Sequence, residues 1–407
     1  MAAEPALDTA THSGLAPLTL GAPSPARIDS VDLLRGLVMV LMVLDHTRDF
    51  FSGTTIDMAN TTPGLFMTRW VTHFCAPVFA FLAGTGVSLA EARGAGRSAL
   101  ARFLVTRGLW LMILEQTVEK FGLTFHLAPV LLGLVLWSIG GSMVLLSIPV
   151  ALGVSSRVVG VFGLILIAGH GLLNGLAPDD LGVFQPLRTL LLRPGLLGPT
   201  DGPWGFVGYP LLPWFGVVAA GYGFGAVFRW ESARRRRAIV TLGLASIVAF
   251  VLIRLWNDVL CDPNPWSVRG DALSTALSFV NCTKYPPSLL YVLMTLGPAL
   301  LLLGLVGDSP GAWAKPFVTL GRVPLFYYLI QWYVIHGLAL LVAAWRGQSL
   351  YWLFPPFPLL QPPAESAYGL PVVYLVWLVV LGLLYAPCRW FAGLKQRRKD
   401  LRWLSYF

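Results

Sequence analysis

The sequence predicts an all-α polytopic membrane protein of about ten transmembrane helices, and three observations carry that expectation. Of the 407 residues, 56% are hydrophobic and 12% are charged, about half the charged share of an ordinary soluble domain. Apolar runs long enough to cross a hydrocarbon layer of about 30 Å recur along the chain. The basic residues behind the net charge of +9 sit in short segments between those runs. That distribution suits membrane topology and argues against a nucleic-acid partner. In so apolar a chain, 42 glycines and 30 prolines suit close helix packing and kinked spans.

Residues 1–26 are rich in Ala, Pro and Thr and hold no basic residue before Arg27. They make a poor signal peptide and a good disordered cytoplasmic tail. The first span, 33–51, has Arg27 before it and Arg35 at its inner edge and can act as an uncleaved start signal. Further spans are expected at 69–90, 104–121, 128–150, 158–177, 207–228, 238–257, 287–307, 317–344 and 370–390. The third is the least apolar, because Glu115, Gln116 and Glu119 interrupt its outer half. The spans fill a membrane domain, 27–392, and a basic cytoplasmic tail follows at 393–407.

Orientation follows from counting Lys and Arg on alternate sides. One side collects 20 of the 29, including Arg234 to Arg237 and the cluster from Arg389 to Arg402. The richer side is the cytoplasmic one, so both termini are expected inside. The outer loops, 52–68, 178–206, 258–286 and 345–369, are the longer ones. The third holds Cys261 and Cys282, for which an oxidising periplasm would permit a disulfide worth about 3 kcal/mol. The four cysteines show no metal-ligand spacing, and no metal is expected. No internal repeat is visible, which counts against an inverted-repeat transporter.

Ionisable groups inside spans are costly and mark function. The first span concentrates them as Arg35, Asp45, His46, Arg48 and Asp49. Arg35 and His46 are eleven residues apart, so they share a helix face about 16 Å from one another. Arg35 lies at the cytoplasmic edge and His46 in the outer half of the bilayer. A cytosolic ligand held at Arg35 could extend toward a base at His46. Asp49, at i+3, is better placed to touch the histidine than Asp45. The competing readings are a packing histidine and, for Arg35, a simple topology determinant.

Residues 27–51 (RIDSVDLLRGLVMVLMVLDHTRDFF) and 69–89 (RWVTHFCAPVFAFLAGTGVSL) resemble the first two helices of bacterial membrane proteins related to heparan-α-glucosaminide N-acetyltransferase. Residues 209–225, 284–303 and 320–336 resemble the same group, in order. The spacing of Arg35 and His46 is also shared with the wider transmembrane acyltransferases. The resemblance implies about ten helices around a central cavity, which acyl-CoA enters from the cytoplasm. Its acyl group would pass to an acceptor on the outer side. It maps the acyl-transfer histidine or its partner onto His46 and the motif arginine onto Arg35. Two positions differ from the group. The lysosomal enzyme has asparagine at the position of His46 and its histidine in the following loop, where 52–68 holds none. Gln331 stands where relatives often carry histidine.

Acyl transfer from a thioester needs a base, donors for the oxyanion and cations for the CoA phosphates. On this reading His46 is the base, with Asp45 or Asp49 orienting it. Arg35, Arg93, Arg97 and Arg102 are the candidate cations for the co-substrate, acetyl-CoA or another acyl-CoA. The latter three read more readily as simple topology determinants. Thr72, His73 and Gln331 are candidates for lining the acceptor side, and for His73 an interfacial histidine beside Trp70 is an equal reading. Glu115 and Glu119 could form a proton path or snorkel outward. The expected protein is an acyltransferase of the bacterial inner membrane acting on a carbohydrate-type amine or hydroxyl. Lipid surrounds it, and a homo-oligomer is left open. The rival expectation is a proton-coupled transporter or flippase of a sugar or lipid-linked substrate, with Asp45, His46 and Glu115 as its relay. A non-catalytic scaffold comes third.

Overall fold

In the computed structural model, the described residues are 28–52, 61–127, 129–176, 184–199, 201–257, 261–355, 362–398 and 400–406. The expected N-terminal tail, 1–26, lies outside them. Every one of the ten expected spans falls on helix. The first is α1 (Asp29–Phe51), and the second is α2 (Pro63–Thr72) running into α3 (Cys75–Ala92). The third is α4 (Arg97–Leu114), a π-helical turn over Glu115–Glu119, and α5 (Lys120–Thr124). The fourth and fifth are α6 (Val135–Ala151) and α7 (Ser156–Leu176).

A short α8 (Gln185–Leu191) precedes the sixth span, α9 (Leu211–Phe224). The seventh is α10 (Ser232–Trp256). A loop helix, α11 (Ala272–Val280), leads to the eighth, α12 (Leu289–Val306). The ninth divides into α13 (Lys315–Gly321) and α14 (Pro324–Trp345). The tenth, α15 (Leu370–Arg397), runs past the expected boundary at 392.

Six of these units are long and apolar enough to cross a membrane on those grounds alone: α2–α3, α9 with its 3₁₀ extension, α10, α12, α14 and α15. Helices α1 and α4 have the length but carry more charge, and α6 is a shorter apolar helix. The fold is therefore all-α and polytopic. Its lipid-facing members show in their burial, since the apolar window of α15 is only 17% buried and that of α9 is 67%.

The breaks in the second and ninth spans have a shared cause in proline. Pro77 has no N–H to give the carbonyl of His73. Tyr291 on α12 supplies the missing donor, at 2.8 Å from that carbonyl. Pro324 opens α14 and disfavours helical backbone at the residue before it, so α13 ends there.

Helix α1 is central and packs against α3, α12, α13, α14 and α15. Around it pair α3 with α9, α7 with α9, α4 with α6, and α10 with α12. Glycines let backbones touch, as expected where lipid offers no hydrophobic drive to association. A Cβ on Gly84 would stand 1.9 Å from the Val218 carbonyl oxygen, and one on Gly221 would stand 2.0 Å from that of Phe81. A small sheet forms from β1 (Leu131–Gly133), β2 (Gly195–Leu197) and β3 (Gly205–Val207), with β3 central.

Two expectations are corrected. Cys261 and Cys282 are not joined in a disulfide. Side chains close that outer loop instead. The buried Asp262 carboxylate accepts from the Asn264 and Thr283 N–H groups at 2.8 and 2.9 Å. It also accepts from the Thr283 and Ser288 hydroxyls at 2.8 and 2.6 Å. Arg254, at the end of α10, donates to the carbonyls of Asn264, Ser278, Phe279 and Asn281. With those contacts in place, Cys282 is packed away at 4% exposure.

The second correction concerns Glu115 and Glu119, which do not snorkel. Both are fully buried. Glu115 accepts from the Leu134 and Trp137 N–H groups, each at 2.7 Å, and so caps α6 from a distance. Glu119 accepts from the Tyr328 hydroxyl.

Candidate active site

A cavity of about 380 Å³ extends along α1, lined by Arg35 at one end of that helix and by His46 at the other. Eleven residues of helix separate the two, about 16 Å. Arg107 on α4, Arg322 before α14 and Lys395 on α15 join Arg35 in the lining. They make the inner end cationic. Arg35 is steadied by Asp32 at 2.9 Å and the Gly321 carbonyl at 3.2 Å. The middle is apolar, walled by residues such as Met42, Phe79, Leu104 and Ile139. At the outer end Asp45, His46, Tyr209 and Lys284 line the cavity.

The outer end is densely charged. Asp45 accepts from the Thr72 hydroxyl at 2.8 Å and pairs with Arg48 at 2.9 Å. Lys284 stands 3.9 Å from its other oxygen. Arg48 also takes Asp49, at 2.7 Å. His46 makes neither carboxylate contact. Its ring stacks on Trp332 with centroids 3.9 Å apart, and Tyr328 meets it edge-on at 6.4 Å. His46 Nδ1 is buried without a hydrogen-bond partner. Gln331, one residue before Trp332, is fully buried with both amide atoms unpaired. His46 lines the cavity, and an imidazole so placed is of the type that takes a proton from a nucleophile and returns it.

The structure brings together Arg35, Asp45 and His46 on one cavity, with Thr72 bonded to Asp45. Asp49 is drawn away, because Arg48 is its immediate neighbour and a stronger partner than an imidazole. Arg93, Arg97 and Arg102 are exposed and absent from the cavity lining, so the cationic end is built from other residues. His73 is buried with both ring nitrogens unpaired and packs edge-on against Tyr291 at 5.5 Å, away from the cavity lining. Sequence reasoning named Arg48 within the charged cluster of the first span but missed Arg107, Lys284, Arg322 and Lys395. Arg107 and Arg322 carried a signal, as charges inside the expected third and ninth spans. The rest read as ordinary loop or helix-end cations.

A helical bundle around a cavity that joins a cationic end to a histidine, with six helices among the described residues long and apolar enough to cross a membrane, defines a multi-pass membrane protein. A family model described as the catalytic part of heparan-alpha-glucosaminide N-acetyltransferase matches residues 27–254. That segment is more than half of the chain, and the chain belongs to this family of membrane acetyltransferase type. No curated protein matches it. The matched segment covers α1 to α10 and ends at Arg254, so Lys284, Tyr328 and Gln331 lie beyond it.

Proposed function

We propose that this protein transfers an acyl group, acetyl foremost, from cytosolic acyl-CoA to a carbohydrate-type amine or hydroxyl across the bacterial inner membrane. The observation that carries the reading is the single cavity lined by both Arg35 and His46. An acyl-CoA is anionic at its nucleotide end and reactive at the far end of an extended arm. A cavity cationic at one end, apolar in the middle and bearing an imidazole at the other suits that shape. Arg35, Arg107, Arg322 and Lys395 would hold the phosphates.

His46 would accept the proton of the attacking acceptor and deliver it to the departing CoA sulfur. Asp45, tied to Thr72 and Arg48, would hold the charge pattern around the site rather than orient the imidazole directly. The arginine-rich segment 229–237 and the C-terminal tail would face the cytoplasm, with the domain 27–392 in lipid. A periplasm-active reporter fused after Arg237 would report strong signal only with the opposite orientation.

The test is CoA release from acetyl-CoA by purified protein in detergent, with an amino sugar or water as acceptor. Release with no ion gradient is expected, and His46→Gln should lower it by about 10²-fold or more. No release by the wild type, together with gradient-driven solute uptake in liposomes, would favour a transporter. A His46→Gln protein with normal turnover would end the case for His46 as base.

A further inference from the structure

Lys284 lies beyond the family match and outside the motif on α1. It occupies the turn between α11 and α12 and lines the cavity with Asp45 and His46. Its side chain is 10% exposed. The nearest carboxylate, Asp45, is 3.9 Å away, an electrostatic neighbour beyond hydrogen-bonding distance. Asp45 is already engaged by Thr72 and Arg48. The ammonium lies 5.0 Å from the Tyr285 ring centroid, which restricts where it can point.

The turn that carries Lys284 is held on both sides by one group. Asp262 accepts from Thr283, immediately before the lysine, and from Ser288, at the start of α12. Asp262 is 1% exposed, so this clasp is out of water and strong. A cation on a clasped turn needs no reorganisation when charge appears beside it, which is the requirement for electrostatic stabilisation of a transition state.

We propose that Lys284 is a catalytic residue that holds the carbonyl oxygen of the thioester and carries the charge of the tetrahedral intermediate. The proposal rests on the acyltransfer reading above. The acceptor's lone pair bonds to the thioester carbon, and its proton moves to His46. The carbonyl π pair moves onto oxygen, beside the Lys284 ammonium. When the carbonyl re-forms, the C–S bond breaks and the pair leaves on sulfur, which takes the proton back from His46. Lys284 remains an ammonium throughout. The opposite assignment, a cation that binds an anionic group on the sugar, predicts effects on acceptor affinity alone.

The experiment measures CoA release by Lys284→Met and Lys284→Arg proteins, once with a sugar acceptor and once with water alone. If Lys284 serves the carbonyl, Lys284→Met should lower kcat by about 10²-fold or more in both assays, as for loss of one oxyanion donor. KM for acyl-CoA should stay within about threefold of wild type. Lys284→Arg, which keeps the charge beside Asp45, should fold as wild type and recover much of the lost rate. Should Lys284→Met fail to purify as a monodisperse species, Lys284→Gln takes its place. A loss confined to KM for the sugar, with release to water unchanged, would overturn the proposal, as would a Lys284→Met kcat near normal. A wild type that releases no CoA in either assay would overturn the acyltransfer reading, and this proposal with it.

Discussion

The clasp at Asp262 can be tested by its effect on a neighbouring thiol. Asp262→Ala deletes the acceptor for the Asn264 and Thr283 N–H groups and the Thr283 and Ser288 hydroxyls. The hydroxyls can rotate to other partners, but the two backbone donors cannot. A donor left without its acceptor costs about 1–3 kcal/mol, so the loss is about 4 kcal/mol for the pair. That loss acts on local opening of the loop, and Cys282, 4% exposed within it, reports the opening. Each 1.4 kcal/mol is a factor of ten, so alkylation of Cys282 should accelerate by about 10³-fold. Asp262→Asn keeps one acceptor oxygen, and an increase of about 10- to 100-fold is expected. The assay is timed alkylation in a Cys261→Ser background, read by peptide mass spectrometry. Wild-type labelling rates in Asp262→Ala would refute the clasp. Labelling of both loop cysteines in the denatured wild type without reductant would independently verify that they are unbridged.

Three further outcomes are expected. Glu115→Ala strands the Leu134 and Trp137 N–H groups at the start of α6, a loss of about 2–4 kcal/mol visible as a lower Tm in detergent, with Glu115→Gln roughly halving it. Gly84→Ala drives a methyl into the Val218 carbonyl and should abolish the monodisperse peak in size exclusion. Gly86→Ala, with nothing within 4 Å, should leave that peak unchanged. Arg107→Met, which removes a cation from the inner end of the cavity, should raise KM for acyl-CoA by about tenfold or more with kcat nearly intact.

Helix at each of the ten expected spans was legible in the sequence because a long apolar run is a local property, set by the transfer free energy of about twenty consecutive residues. The pairing of Arg35 with His46 along one cavity was legible for a related reason: both sit on one helix, where spacing alone dictates face and distance. The split of the ninth span was present at Pro324, which no helix continues through without loss. Spacing misled at Asp49. It gave the correct reach to His46, but the adjacent Arg48 competes for the carboxylate, and a guanidinium wins over an imidazole.

What spacing could not supply was every contact made between segments far apart in the chain. The cationic end draws Arg35, Arg107, Arg322 and Lys395 from four segments of the chain, and nothing local shows that they meet at one cavity while Arg93, Arg97 and Arg102 stay on the surface. The loop bearing Cys261 and Cys282 is closed by Arg254 and Asp262, because several hydrogen bonds to buried charged groups satisfy its backbone without a covalent link. Lys284 comes within 3.9 Å of Asp45 and shares a cavity with His46 only through the tertiary fold, which brings the turn before α12 to α1. Helix formation and insertion are decided residue by residue along the chain. The cavity exists only where several helices, each already formed, meet around side chains that none of them places alone.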